Sequence, residues 1–275
     1  MDKSRWTART LAAEAFPAAV RKDPGRTLLA FDFDGTLAHM NPDPEAVSLV
    51  EESASALEQL TGLGVDLALI SGRPVDTLVR LGRLQERPAF SQATILGQYG
   101  IERLDLATGE RRIPPIPVEI DRARPELAQL VADHPGAYLE DKGRALAVHV
   151  RRMPDPEAAQ AALSEPVHQL AERHGLQVEP GRLVWEVRAA SADKGDALRE
   201  LIRQHQPRAV LMAGDDLGDL AAFAALAEAA KRGIYTCALV SDSQEQPELR
   251  RYADVLCDGP DGVAAWLQHL VSNLR

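Results

Sequence analysis

Leu28-Leu29-Ala30-Phe31-Asp32-Phe33-Asp34-Gly35-Thr36-Leu37 is the stretch from which the rest of the chain is read. Four apolar residues in succession predict the end of a strand buried on both faces, and two carboxylates follow where that strand should run out. In open α/β sheets, ligands bind at such carboxyl ends. Asp32 and Asp34 stand two apart, so in extended chain they point the same way, and like charges that close call for a cation or a shared proton. The expected partner is a hard divalent metal. Gly35 permits a sharp turn, and Thr36 offers a hydroxyl and a backbone N–H to an anion beyond the strand. The plainer alternative is a solvated Asp-Gly turn.

On the C-terminal side, Asp43 and Pro44 predict the cap and first residue of a helix carrying Val47, Val50, Ala54, Leu57 and Leu60, ended by Gly62. Leu67-Ala68-Leu69-Ile70 then predicts a second buried strand running into Ser71-Gly72-Arg73. Strand, helix, strand implies a parallel sheet. Pro74 opens a helix through Leu78 and Leu81, and Ala93 to Leu96 is a third strand ending in Gly97-Gln98-Tyr99-Gly100. Upstream, residues 7 to 20 show a helical face at Leu11, Ala12, Ala15, Phe16 and Ala19.

From about residue 103 the pattern changes. Turn signals at Ala107-Thr108-Gly109 and Lys142-Gly143 separate short alternating segments, which predicts antiparallel strands. Leu146, Val148 and Val150 share one strand face. A helix follows Asp155-Pro156, with Pro166 expected to interrupt or kink it. Glu179-Pro180-Gly181-Arg182 turns into a strand on which Glu186 faces away from Leu183, Trp185 and Val187. The parallel pattern returns with Ser191 as a candidate N-cap, Lys194 in the first turn of a helix, and a strand at Ala209 to Ala213 that ends in Gly214-Asp215-Asp216-Leu217-Gly218-Asp219. A helix from about Leu220 to Gly233, strands at Ile234 to Val240 and Val255 to Cys257, and a helix from Val263 to Leu274 complete the chain. The expected fold is α/β: a doubly wound parallel sheet from residues 1–104 and 189–275, with a smaller α+β domain inserted at 105–188.

Totals bound the function. The chain has 275 residues and is 45% hydrophobic, ample for a packed core. A net charge of -10 disfavours nucleic acid or an anionic membrane as partner. Cys237 and Cys257 lie far from metal-ligand spacing and suit buried thiols in a reducing cytoplasm. Neither a signal peptide nor an 18-residue apolar span is found, and the chain is expected to act as a monomer.

Strand and helix ends carrying Asp32 and Asp34, Ser71, Lys194, and Asp215 with Asp216 converge on one sheet edge, and their types are complementary for phosphoryl transfer. Mg²⁺ takes near-octahedral oxygen ligands, for which Asp32, the Asp34 carbonyl and Asp215 are the candidates. Lys194 sits at the positive end of a helix, where an anion would compensate it. Ser71, with Gly35, Thr36, Gly72 and Arg73, is expected around the phosphate. Taken singly, Ser71 could be a turn, Lys194 a solvated helix lysine, and Asp215 with Asp216 an N-cap pair.

DFDGTL, Ser71, Lys194 and GDD, in this order, resemble the four motifs of the haloacid dehalogenase superfamily across essentially the whole chain. The resemblance implies that Asp32 attacks phosphorus to form an aspartyl-phosphate and that Asp34 is the general acid and base. It implies a cap domain between the Ser and Lys motifs that excludes water and selects the leaving group. Leu139-Glu140-Asp141-Lys142, His149 with Arg151, Glu186-Val187-Arg188 and Asp193-Lys194-Gly195 further resemble the blocks of the trehalose-6-phosphate phosphatases. There Glu140, Lys142 and Glu186 would reach sugar hydroxyls, which implies Mg²⁺-dependent hydrolysis of trehalose 6-phosphate in trehalose biosynthesis. The chain departs from that family in having Tyr99-Gly100 for His-Gly, and Leu217-Gly218-Asp219-Leu220 where Thr-Asp-Glu-Asp is usual. Asp219 keeps the second acidic position, and Asp216 and Asp219 are expected behind the metal ligands. Other sugar phosphates remain open as substrates, such as sucrose phosphate or a mannosyl- or glucosyl-phosphoglycerate. So do a phosphomutase and a non-catalytic phosphosugar-binding protein.

Overall fold

The computed structural model describes residues 5–189, 193–243 and 246–274. In chain order the elements are β1 (Trp6–Ala8), α1 (Leu11–Lys22), β2 (Thr27–Phe31), α2 (Glu51–Thr61), β3 (Asp66–Ile70), α3 (Val75–Gly82), β4 (Thr94–Gly97), β5 (Glu102–Asp105) and β6 (Arg111–Arg112). Then come α4 (Val118–Ala132), β7 (Tyr138–Asp141), β8 (Ala145–His149), α5 (Pro156–Arg173), β9 (Gln177–Gly181) and β10 (Val184–Arg188). The last elements are α6 (Lys194–His205), β11 (Ala209–Gly214), α7 (Leu220–Lys231), β12 (Tyr235–Ser241), β13 (Val255–Cys257) and α8 (Gly259–Leu274).

Alternate residues of β2 serve two cores. Leu29 and Phe31 pack with Phe16, Leu57 and Trp266, whereas Leu28 and Ala30 pack with Leu198, Leu201 and Phe223. Successive strand side chains point to opposite faces, so a sheet covered by helices on both sides needs the unbroken apolar run seen at 28–31.

Among the described residues the large sheet has the order β1-β13-β12-β11-β2-β3-β4-β5-β6. From β13 to β4 its pairs are all parallel. β3 and β4 step away from β2 on one side, and β11, β12 and β13 on the other. The direction of winding therefore reverses between β2 and β11, the position at which open α/β sheets leave a ligand crevice. Asp32 and Asp215 follow those two strands.

Some local expectations shift. Asp43 accepts from the Glu45 N–H, but Pro44 opens only a 3-10 turn, and α2 starts at Glu51. Residues 6–8 form an edge strand antiparallel to β13, so the first helix starts at Leu11, after a Thr10 cap. α5 runs on through Pro166 without a break. Residues 177–181 are a strand, and the turn into β10 centres on Arg182 and Leu183, where Leu183 takes φ 62°. Ser191 lies outside the described residues; the side chain that caps α6 is Asp193, which accepts from the Asp196 N–H at 2.8 Å.

The chain divides into two compact units, Met1–Ile113 with Ala192–Arg275, and Pro114–Ser191. The boundary expected at residue 105 falls at the end of β5. Arg103 and Leu104 pair with Arg112 and Arg111, so the hairpin around Ala107-Thr108-Gly109 extends the large sheet instead of opening the insert. A turn signal says that two strands pair without saying which sheet they join.

The second unit is a four-stranded antiparallel sheet of order β7-β8-β10-β9. Leu146, Val148, Trp185 and Val187 on one face bury against Ile120, Leu127, Leu163 and Val167 of α4 and α5. Strand alternation and register put Tyr138, Glu140, His149, Glu186 and Arg188 on the opposite face. Among the described residues no helix is long and apolar enough to cross a membrane.

Candidate active site

Asp32 is the first residue beyond β2, tied to the neighbouring strand end by its N–H, which donates to the Ala213 carbonyl at 2.9 Å. Its Oδ1 accepts the Phe33 N–H at 2.7 Å. The chain then folds back through Gly35, at φ +72°, with the Leu37 and Ala38 N–H groups donating to the Phe33 carbonyl at 3.0 and 2.9 Å. The Thr36 hydroxyl donates to Asp215 Oδ1 at 3.4 Å. Ser241, ending β12, donates its hydroxyl to the Gly35 carbonyl at 2.6 Å.

Asp219 is fully buried beneath the end of β11. Its Oδ2 accepts the backbone N–H groups of Asp215 and Asp216 at 3.0 and 3.2 Å. Gly214 makes this possible, because a Cβ there would stand 2.2 Å from Asp219 Cγ. Lys194, the first residue of α6, reaches between the strand ends and sets its Nζ 2.9 Å from Asp32 Oδ2 and 2.8 Å from Asp219 Oδ1. Asp216 is the more distant partner at 3.9 Å.

These charges are buried, and burial dominates their protonation. Loss of solvent raises the Asp32 carboxyl to about 6 even though Lys194 pulls it down. Asp215 is pushed well above the usual carboxylate range by burial and then by the charge of Asp32. Asp219 is raised too, by burial, against the pull of Lys194. Burial works against the Lys194 ammonium, yet Asp219, Asp32 and Asp216 together hold its pKa well above the ordinary lysine value.

Asp32, Asp215 and Asp219 each offer a carboxylate oxygen, all within 4.8 Å of one another. Lys194 pairs with two of these three crowded carboxylates, Asp32 and Asp219, so a further cation would relieve their mutual repulsion. An all-oxygen donor set suits a hard divalent ion such as Mg²⁺. The residues present therefore fit the expected metal.

A sequence profile described as Trehalose-phosphatase matches residues 30–254, which take in the whole strand-end cluster. The chain belongs to the trehalose-phosphatase family. It is 36% identical over 199 residues to the trehalose-6-phosphate phosphatase of Escherichia coli strain K12, covering 70% of this chain and 71% of that one. It is 33% identical over 217 residues to a probable trehalose-phosphate phosphatase of Sinorhizobium fredii, covering 76% and 77%. Among solved structures, the C-terminal domain of a C. albicans trehalose-6-phosphate phosphatase superimposes with a TM-score of 0.78 at 21% identity, over 97% of this chain and 98% of that chain. Haloalkanoate-superfamily phosphatases share the same fold.

In this trehalose-phosphatase chain several expected residues do something other than foreseen. The Asp34 carboxylate stands outside the acidic cluster and is held instead by Arg73, whose Nε and Nη2 donate to Asp34 Oδ2 and Oδ1 at 2.5 and 2.7 Å. Arg73, expected around phosphate, thus turns its guanidinium to the second aspartate. The buried Ser71 hydroxyl accepts the Arg73 N–H at 3.2 Å. Asp219, expected behind the ligands, lies close enough to share an ion with them.

On the second unit, Lys142 Nζ donates to Glu186 Oε2 at 2.6 Å, and Glu140 Oε2 meets His149 Nε2 at 2.9 Å. Glu186 is buried, and its Oε1 has no hydrogen-bond partner. The imidazole of His149 stacks on Tyr138 at 4.4 Å.

Sequence reasoning missed Ser241 and Glu102. Ser241 is a polar residue ending an apolar strand, a signal already used for β2 and β11. Glu102 is buried and accepts the Val75 N–H at 2.8 Å, at the start of α3; its signal was an acid two residues before Leu104, on the same face of a short strand.

Proposed function

We propose that this chain is a Mg²⁺-dependent phosphatase that hydrolyses trehalose 6-phosphate to trehalose and inorganic phosphate through an aspartyl-phosphate on Asp32. The observation that carries the reading is Asp32 itself, a buried carboxylate gripped by the Phe33 N–H and by Lys194 among Asp215 and Asp219. The 36% identity to a trehalose-6-phosphate phosphatase supports the substrate.

Held by Asp32, Asp215 and the Asp34 carbonyl, with Asp219 close enough to share it and Asp216 behind, Mg²⁺ would supply charge neutralisation between the nucleophile and the phosphate dianion. Lys194 works in the same direction, lowering the electrostatic cost of an anion attacking an anion. Asp32 attacks phosphorus, and the bond from phosphorus to the sugar oxygen breaks. Asp34 gives its proton to that oxygen, then takes one from the water that cleaves the aspartyl-phosphate. Ser71, Thr36 and the Gly72 backbone hold the remaining phosphate oxygens, while the Gly35 N–H donates to the Ala38 carbonyl at 2.8 Å and closes the turn.

Glu140, Lys142 and Glu186 of the second unit recognise the sugar, which makes that unit the substrate-selecting cap. The unpartnered, buried Glu186 Oε1 supports this, because a sugar hydroxyl would supply the missing donor. Cys237 and Cys257 are free and buried, in keeping with a cytoplasmic setting.

The test is phosphate release from a panel of disaccharide and monosaccharide phosphates with and without Mg²⁺. Trehalose 6-phosphate should lead by at least about tenfold in kcat/KM, roughly 1.4 kcal/mol. A larger value for sucrose phosphate or a phosphoglycerate glycoside would replace the substrate. Substantial turnover by Asp32→Asn would overturn the nucleophile.

A further inference from the structure

We infer that Arg73 is a positioning residue that holds Asp34 in the single orientation proton transfer needs, and that the Gln98-Tyr99 turn in turn fixes Arg73. The inference rests on the reading of Asp34 as general acid. Asp34 and Arg73 are both largely buried, with side chains 23% and 18% exposed, and the guanidinium fork takes both carboxylate oxygens. A third donor of the same guanidinium, Nη1, reaches the Pro44 carbonyl at 3.0 Å. Bidentate pairing of this kind fixes direction as well as distance.

The main chain of Arg73 is anchored just as firmly. Its N–H donates to Ser71 Oγ at 3.2 Å, and its carbonyl accepts the Gln98 N–H at 3.0 Å. The two carbonyls before it are taken by the same turn. The Tyr99 N–H donates to Ser71 at 2.9 Å, and the Gln98 side-chain amide donates to Gly72 at 3.0 Å. Glu102, a few residues on, accepts from Val75 at 2.8 Å. To aim these donors, Gln98 and Tyr99 both sit in the left-handed region, at φ 49° and 61°. Non-glycine residues occupy it at a cost that the surrounding bonds must offset. The geometry thus runs in one line from the turn, through the Ser71-Gly72-Arg73 backbone, to the Asp34 carboxylate.

A misdirected acid hurts a poor leaving group most. An alkoxide needs its proton in the bond-breaking step, whereas p-nitrophenolate leaves without one, and kcat/KM reports only steps up to that departure. The experiment compares trehalose 6-phosphate with p-nitrophenyl phosphate for the parent chain and for Arg73→Ala, Arg73→Lys and Asp34→Asn. General acid catalysis contributes about 10²-fold or more, so Arg73→Ala should lose about 10²-fold on the sugar phosphate and less than about fivefold on the aryl ester. Arg73→Lys keeps the charge but loses the fork, and it should show the same imbalance at smaller size. It carries the test if the alanine variant does not fold. Equal losses on both esters for the Arg73 variants, with the imbalance still present in Asp34→Asn, would overturn the inference and mark Arg73 as a phosphate contact or a purely structural residue. Equal losses in Asp34→Asn as well would remove Asp34 as the acid, and this inference with it.

Discussion

Asp215 fills the space that a side chain on Gly35 would need: a Cβ at residue 35 would come within 2.0 Å of Asp215 Oδ2. The turn after Asp32 and the second acidic strand end therefore fit together only because residue 35 has no side chain. Gly35→Ala should displace Asp215 and strain a φ of +72°, a conformation that costs an L-residue roughly 1–2 kcal/mol. Misplacement by about 1 Å is worth about 10²-fold, so kcat/KM should fall at least that far. The rise in melting temperature produced by Mg²⁺ should fall as well. A variant that keeps both would show that Asp215 is not where the ion is held.

At the proposed metal site, proton and Mg²⁺ would compete for the same carboxylates. The folded-state Asp32 pKa is raised from its ordinary 3.8 to about 6, so its stabilising contribution in the ion-free protein is complete below 3.8 and is lost as pH rises through about 6. A divalent ion binds the ionised form and releases protons. The Mg²⁺-induced rise in melting temperature should therefore be largest near pH 8 and shrink as pH falls through about 6. Thermal scans with and without Mg²⁺ across that range check it; a rise independent of pH would contradict it.

Removing Lys194 strands its partners. It is 2% exposed and pairs with the buried Asp32 and Asp219. Breaking one side of a buried ion pair costs about 3–5 kcal/mol, which for a chain of this size corresponds to a fall in melting temperature of roughly 10 °C. Lys194→Met should show that fall in ion-free buffer. The loss should be smaller at pH 5 than at pH 8, because the carboxylates can then take up protons, and Mg²⁺ should recover part of it at pH 8.

If the second unit reads the sugar as proposed, changing Glu186 should separate recognition from chemistry. Glu186→Gln keeps the shape but weakens the acceptor beside Lys142 and puts a donor where an acceptor stood. The KM for trehalose 6-phosphate should rise by about tenfold or more, the value of one hydrogen bond to a charged group. Turnover of p-nitrophenyl phosphate should stay within about twofold. Equal losses on both substrates would place Glu186 outside sugar recognition.

Much of this molecule is readable along the chain. The apolar runs at 28–31, 67–70 and 209–213 announce strands buried on both faces, and the polar residues that stop them mark Asp32, Ser71 and Asp215 as neighbours at one sheet edge. Those features are local, carried by side-chain period and by the residues that interrupt it. Which groups then touch depends on the path of distant segments. Asp34 stands two residues from Asp32, yet its carboxylate is claimed by Arg73, 39 residues away. Asp219 lies fully buried because Gly214 leaves room for it, and Ser241 reaches Gly35 across 206 residues. The hairpin at 105–111 shows the same division, since its turn is written in the sequence while its attachment to the large sheet comes from a free strand edge at β4. Periodicity states which face of each element is apolar; packing of many elements at once selects which polar ends meet, and that selection has no local signature.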